Sequence, residues 1–352
     1  MGMKIILQAG ITIGLISFAL SGTAQRHRYT VTENKANNEI DIKIDGKLFT
    51  AYLYSDRLMK PVLYPITTAN DDTITRGWPL APRPLDHVDH PHHIGLWFNY
   101  ESVNGLDFWN NSSAIAPEKK SHYGRIRHVH VDKITTGKDG ATLQVSAFWE
   151  NAAGKRLLKQ QTKYVFAQLK NMRTIEMSVK LTALDKEVDF KDTKDGLIAI
   201  RMRTELEQPS TVREKYIDSS GHIATNKQTN QAVATGLYRS SAGVKGDAVW
   251  GSRAKWVALD GRLRNKDVSI VILDHPVNIG YPTYWHARGY GLFAANPLGQ
   301  KVFSNGKEAL NFSLKPGASA QFKYKVLITS PKHLTDQQIT RAAQKFWNTK
   351  SF

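Results

Sequence analysis

Short runs in which apolar and polar residues alternate, each closed by a turn signal, leave this chain little choice but β-structure. Ile40, Ile42 and Ile44 alternate with Asp41 and Lys43, Asp45-Gly46 follows, and Leu48 to Tyr52 resumes the run. That layout predicts a hairpin closed by a type I′ turn. Val129 to Ile134 and Thr142 to Trp149 pair around Gly137 to Gly140, and Leu157 to Phe166 and Thr174 to Leu184 extend the pattern. Trp256 to Leu259, a turn at Asp260-Gly261 and Val268 to Ile272 predict another hairpin. Gln321 to Ile328 places Phe322, Tyr324, Val326 and Ile328 on one side. Arg57 to Arg83 and Gln208 to Lys245 lack a period and read as long connections. Helix is expected only at the C-terminus, where Thr335 and Gln338 form a capping box and Ile339, Ala342, Ala343, Phe346 and Trp347 recur at helical spacing. The expected fold class is all-β: a large antiparallel β-sandwich with one C-terminal helix. No repeat or composition shift divides it, so residues 25–352 are expected to form one domain.

Lys4, the apolar stretch Ile5 to Leu20 and the small residues Ser21-Gly22-Thr23-Ala24 have the layout of a secretory signal peptide cut near Ala24. Residues 1–24 are therefore expected to direct export, leaving a periplasmic or secreted protein. No later stretch approaches the ~18 consecutive apolar residues of a membrane span, so no insertion is expected after cleavage. The chain has no cysteine, which excludes disulfides, thiolate metal sites and a cysteine nucleophile. Its formal net charge is +17, but Lys and Arg are spread evenly, without an arm or recognition-helix pattern. That distribution, with export, argues against nucleic acid as a partner. An anionic glycan fits the charge, and so does an ordinary solvated surface.

Four of the twelve histidines fall within the stretch Asp86-His87-Val88-Asp89-His90-Pro91-His92-His93, which leads into the apolar Leu96-Trp97-Phe98. Each buried imidazole must find hydrogen-bond partners, so this density points to a polar site on the rim of a sheet. Pro91 should keep His90 extended, projecting His90 and His92 to one side and His93 to the other. Neutral imidazoles so placed suit general acid/base work, with His92 or His93 as the proton carrier. They also suit a divalent metal, with His90 as a ligand, although no carboxylate at ligand spacing completes a metal motif. His128 and His130 share the same spacing and could face the first group, or be ordinary sheet residues. Asp107, in Asn104-Gly105-Leu106-Asp107-Phe108-Trp109, could orient a histidine or simply serve a turn.

A second cluster repeats the Asp-His-Pro triplet at Asp274-His275-Pro276 and runs through Asn278, Tyr281, Tyr284, Trp285 and His286 to Arg288. His286 and Arg288 alternate and can address one ligand, Arg288 as a donor fork. Trp285, Tyr284 and Tyr281 could stack on a sugar ring, or form a packed aromatic corner. Asp274 would supply a carboxylate. Neither a phosphate-binding glycine loop nor a Gly-x-Ser-x-Gly elbow occurs, which disfavours nucleotide and serine-esterase chemistry.

Asp89-His90-Pro91-His92-His93 with Leu96-Trp97-Phe98, then Asn104-Gly105 and Asp107-Phe108-Trp109, resemble the first signature of an exported bacterial family named methane oxygenase PmoA-like. Asp274-His275-Pro276 with Asn278, and Trp285-His286 with Arg288 through Tyr290-Gly291-Leu292-Phe293-Ala294-Ala295-Asn296-Pro297, resemble the second. The family name borrows from a membrane-embedded subunit, whereas this resemblance implies a setting of exported polysaccharide degradation. The strand pattern, with the Leu314-Lys315-Pro316-Gly317 turn, also resembles the galactose-mutarotase-like supersandwich of aldose epimerases, which use His and a carboxylate to move protons on a sugar.

Three functions follow as expectations. The first is an exported carbohydrate-active enzyme that cleaves or isomerises a glycan. In it His92, His93 and His286 carry protons with Asp107 or Asp274, and Trp97, Asn278, Tyr281, Trp285 and Arg288 bind sugar. The second is a glycan-binding protein without turnover, and the third a metal-dependent oxidoreductase.

Overall fold

The alternating runs build two eight-stranded sheets in a computed structural model that describes residues 1–2 and 27–349. Apart from residues 1–2, the expected signal peptide lies outside the described residues. The first sheet runs, in spatial order, Tyr29–Asn34, Glu39–Ile44, Lys47–Leu53, Val62–Ile66, Leu96–Tyr100, Gly196–Arg201, Leu292–Asn296 and Tyr284–Arg288. The second runs Leu237–Ser240, Trp256–Leu263, Lys266–Asp274, Ser319–Thr329, Met172–Ala183, Arg156–Leu169, Gly140–Asn151 and Gly124–Gly137. Neighbours pair antiparallel throughout, for example Phe98 opposite Ile198 and Tyr324 opposite Met177.

Period-2 patterning sends one face of each sheet inward. Ile42, Leu96, Phe98, Ile198 and Phe293 from the first sheet share a core with Leu143, Val179 and Phe322 from the second. Phe98 and Phe322 meet across the layers with ring centroids 5.8 Å apart. Burial of each such side chain contributes about 1.5–3 kcal/mol, and that sum sets the sandwich.

The hairpin turn at Asp45-Gly46 forms as expected, with φ of 53° and 80° at its two residues. The expected turn at Asp260-Gly261 does not form. The strand continues to Leu263 and reverses at Arg264-Asn265, whose φ values are 48° and 61°. The Asp260 side chain is taken up laterally, accepting from Arg239 Nε at 2.6 Å and from Ser269, so it serves the sheet rather than a turn.

The outer faces differ. The helix Asp336–Trp347 lays Ile339, Ala343 and Phe346 over Trp256, Ala258, Val271 and Leu327, which seals the second sheet. Its capping box is formed as the sequence predicts, Thr335 accepting from Gln338 N and Gln338 from Thr335 N. Thr335→Ala should lower unfolding stability by about 1 kcal/mol in denaturant titrations. Among the described residues no such helix covers the first sheet. Its outer residues Tyr64, Trp97, Ala199, Leu292 and Ala294 pack with Ile94 and Trp109 from connecting segments. The histidine segment lies on this face.

Candidate functional site

The histidine segment turns rather than extends. His90 has φ 38°, and His93 N donates to His90 O at 3.0 Å, so residues 90–93 form a turn. Pro91 restricts its predecessor, but one buried guanidinium overrides that preference. Arg76, 1% exposed, donates to the carbonyls of His87, Asp89, His90 and His93 at 2.9–3.0 Å. A planar fork with five donors is suited to gathering carbonyls in this way. Gly95 then passes so close to the Val62–Ile66 strand that a Cβ would lie 2.2 Å from Leu63 O.

The turn brings all three rings together instead of splitting them between faces. Tyr290, His90, His93 and Trp97 form a continuous stack with centroid spacings of 5.2, 4.8 and 5.3 Å. His92 meets His93 edge-on at 4.3 Å.

Two histidines of the segment carry carboxylate partners. His90 Nδ1 lies 2.7 Å from Asp89 Oδ2, and His87 Nδ1 lies 3.2 Å from Glu207 Oε1. A carboxylate only accepts, so each ring holds its proton on Nδ1; Nε2 of His87 lies 4.0 Å from Asp89 Oδ2, beyond hydrogen-bond distance. Burial alone would raise the Asp89 carboxyl. Arg201, the His90 hydrogen bond and Arg76 outweigh it and hold the group far below the usual carboxylate range. Arg201 Nη2 donates to Asp89 Oδ1 at 2.6 Å and stands 3.7 Å from Glu207 Oε1. Glu207 Oε2 accepts from Asn230 Nδ2 at 3.0 Å. His87, Asp89, His90 and Glu207 line one cavity of about 410 Å³ with Tyr216, Asn230, Glu214, Asp247 and Tyr290.

The rim of this cavity comes from the long polar excursion after Glu207. Val88 N donates to Lys215 O and Leu85 N to Ile217 O, both at 2.8 Å, and Tyr216 lies against the His87 ring at 4.9 Å.

His92 and His93 are buried as well, 8% and 1% exposed. Burial, then the nearby Lys60 charge, pushes His92 down to about 2, and burial with His92 holds His93 well below its ordinary value. Both rings are therefore neutral at pH 7. Beside them Lys60, 4% exposed, donates from Nζ to His92 O at 2.8 Å and lies 5.3 Å from the Trp97 ring. Burial pushes Lys60 down to about 7, with Asp107 partly opposing the shift. The unfolded chain holds that proton up to the ordinary value of 10.5 and the folded chain only to about 7. The unfolded state thus binds more protons in that window, so this group makes stability rise with pH across it, with its full penalty below about 7. Lys60→Met should raise unfolding stability by roughly 2–4 kcal/mol at pH 6, with the gain fading toward pH 11 in urea titrations.

The other expected site residues are scattered. Asp107 closes a local loop, its carboxylate accepting from Asn110 N at 2.9 Å and Asn110 Nδ2 at 2.8 Å and bonding no histidine; burial raises its carboxyl. His286 does lie on the outer face of the first sheet, Nδ1 3.4 Å from Asp195 Oδ1, and burial pushes it down to about 4. Arg288 points its guanidinium at the Trp250 ring, 4.7 Å away. Trp285 faces the core, its Nε1 donating to Ala254 O at 3.0 Å, so it presents no platform. Trp97 is covered by His93.

The second Asp-His-Pro cluster is a brace. Asp274 is fully buried and accepts from Asn278 Nδ2, Thr283 N and His275 N at 2.7–2.9 Å, with burial pushing it up to about 7. Asn278 also pairs with the Lys323 backbone, and His275 and Tyr281 meet Phe346 and Trp347 of the C-terminal helix. None of these contacts involves the histidine segment. His128 is occupied by Tyr52 Oη at 3.2 Å, and a bulge between His128 and His130 breaks their common facing. Among the described residues no group of three or more His, Asp or Glu side chains could hold a metal ion, and His90 has Asp89 as its partner instead.

Sequence reasoning missed Arg76, Arg201, Glu207, Tyr290 and the pairing of His87. Arg201 carried a usable signal, because it ends the wholly buried strand Gly196–Arg201, where a charge demands a partner. Glu207, beside a short helical turn, carried none.

The fold is that of large antiparallel sandwiches, and several solved structures are similar at low identity. A galactose mutarotase-like protein from Clostridium acetobutylicum is 13% identical with a TM-score of 0.35, covering 86% of this chain and 98% of that one. The galactosidase domain of an alpha-galactosidase-sucrose kinase is 7% identical with a TM-score of 0.40, over 86% of this chain and 41% of that one. A polysaccharide lyase is 11% identical with a TM-score of 0.29, over 92% of this chain and 35% of that one. This chain thus spans less than half of the galactosidase and lyase chains, and likeness at this level says nothing about its reaction. No curated protein matches it. A family model matches residues 39–344, and the chain belongs to that family, DUF6807, a family of unknown function.

Proposed function

We propose that this protein is an exported carbohydrate-active enzyme that moves protons on a neutral sugar, isomerising it or eliminating across one of its bonds. The observation that carries this reading is the presence of two carboxylate–histidine pairs, Glu207–His87 and Asp89–His90, on the wall of one cavity. A ring with its Nδ1 proton held by a carboxylate has a basic Nε2, and its partner stabilises the imidazolium that forms. Two such rings on one substrate allow one to take a proton while the other, protonated, gives one back. Export rests on the layout of residues 1–24.

The cavity volume, about 410 Å³, is in the range of small-molecule sites and suits roughly one or two sugar rings. Asp89, Glu207, Glu214 and Asp247 are among its lining residues and no Lys or Arg is, which favours hydroxyl donors over a uronic acid despite the basic chain. Tyr290 and Tyr216 flank the two histidines as aromatic surfaces. His92 and His93 are not among the residues lining this cavity, so the proton carriers in this reading are His87 and His90.

The test is incubation of the purified protein with a panel of neutral mono- and disaccharides in D2O, followed by proton NMR. Exchange at one carbon, ring interconversion or a new unsaturated product is expected for one member. Saturable binding across the panel with no such change would make the protein a glycan-binding module and end the enzymatic reading.

A further inference from the structure

His90 lines the cavity just described, whereas Pro91 and His92 line a second one, of about 190 Å³. Its walls are largely apolar, including Leu58, Val62, Leu80 and Ile94, and its lining contains no carboxylate. Two polar groups on that wall are left over. Lys60 is 4% exposed, its Nζ is bonded to a single carbonyl, and among the described residues no carboxylate comes within salt-bridge distance. A buried cation without a counter-charge is costly, and natural chains hold one mainly where it is used. His92 is 8% exposed, and its Nε2 is buried without a hydrogen-bond partner.

An acceptor bearing negative charge satisfies both groups at once. A neutral apolar guest would fill the walls and leave Lys60 unpaired, while a small inorganic anion would pair Lys60 and leave the walls against water. We propose that the second cavity binds a small carboxylate with an apolar body, its oxygens held between the Lys60 ammonium and the His92 Nε2–H. Arg57, exposed and also in the lining, draws such an anion to the entrance. The site is separate from the sugar cavity, whose lining has the opposite charge. A carboxylate beside Lys60 also reverses the effect of burial on it, with Asp107 as the distant negative group already acting in the same sense. Binding near pH 8 should then be accompanied by proton uptake.

The probe is benzoate, titrated calorimetrically into the full protein, with benzyl alcohol and inorganic phosphate as comparators. Benzoate should bind saturably and at least tenfold more tightly than either comparator, with an enthalpy at pH 8 that depends on the buffer's ionisation heat. Lys60→Met should weaken benzoate at least tenfold. Arg57→Ala, a change at an exposed position that leaves the core intact, should weaken it two- to fivefold, with less dependence on salt. Benzyl alcohol or phosphate binding as tightly as benzoate would overturn the proposal, as would folded Lys60→Met protein with unchanged benzoate affinity.

Discussion

Arg201→Met should lower unfolding stability by roughly 3–5 kcal/mol, the usual cost of stripping one partner from a buried ion cluster. Methionine replaces much of the volume, so the loss is electrostatic rather than a cavity effect. Arg201 is 0% exposed and serves two carboxylates, bonded to Asp89 and 3.7 Å from Glu207. It also lies 4.8 Å from the Tyr290 ring that opens the aromatic stack. Without it, Asp89 keeps Arg76 and His90, while Glu207 keeps only His87 and Asn230 and must stay buried with less compensation. Urea titrations of variant and parent at pH 7 measure the difference directly. A change below about 1 kcal/mol would mean that Arg76 alone suffices to hold the cluster. Arg201→Lys should recover part of the loss, because a point charge cannot reproduce the planar fork.

His87→Asn should reduce kcat by roughly 10²–10⁴ on whichever sugar the protein turns over, with little change in KM. Asparagine can retain an N–H near the position of His87 Nδ1 and so keep the hydrogen bond to Glu207, while removing Nε2. The substitution therefore separates proton transfer from packing. Unchanged thermal unfolding alongside the loss of kcat is the expected pair of results. A variant that turns over at the parent rate would remove His87 from the reaction and leave Asp89–His90 as the sole acid–base pair on the cavity wall.

Period-2 alternation made most of the fold legible, because each strand buries one face and polar residues mark the other. Ile40 to Ile44 and Phe322 to Ile328 are read correctly for that reason. The Asp260-Gly261 turn was misread because turn chemistry is local, while Asp260 is claimed by Arg239 and Ser269 from neighbouring strands. That so many imidazoles next to Leu96-Trp97-Phe98 would gather against a sheet was also visible, although they lie over the outer face of the first sheet rather than at a rim. The internal geometry of the histidine segment was not visible. The extended conformation that Pro91 suggests gives way to Arg76, 14 residues away from His90 in sequence, and local preference cannot anticipate a donor arriving from elsewhere. The second Asp-His-Pro cluster looked like a copy of the first because the same triplet can fix a backbone or address a ligand. The difference lies in the surroundings: Asp274 meets three protein donors, whereas Asp89 meets two arginines and a histidine at a cavity wall.

The rim supplied by the excursion after Glu207 has a consequence for how members of this family can diverge. His87, Asp89 and His90 are set by Arg76 and Arg201 against the sheet, but Val212, Glu214 and Tyr216 belong to a segment tied to the histidine stretch by backbone hydrogen bonds. Backbone ties are indifferent to side-chain identity, so residues 212–216 can change provided the hydrogen bonds to Leu85 and Val88 persist, whereas Asn230 further along is held to its identity by its bond to Glu207. The set of side chains held by Arg76 and Arg201 would then stay fixed while the rim above it changed.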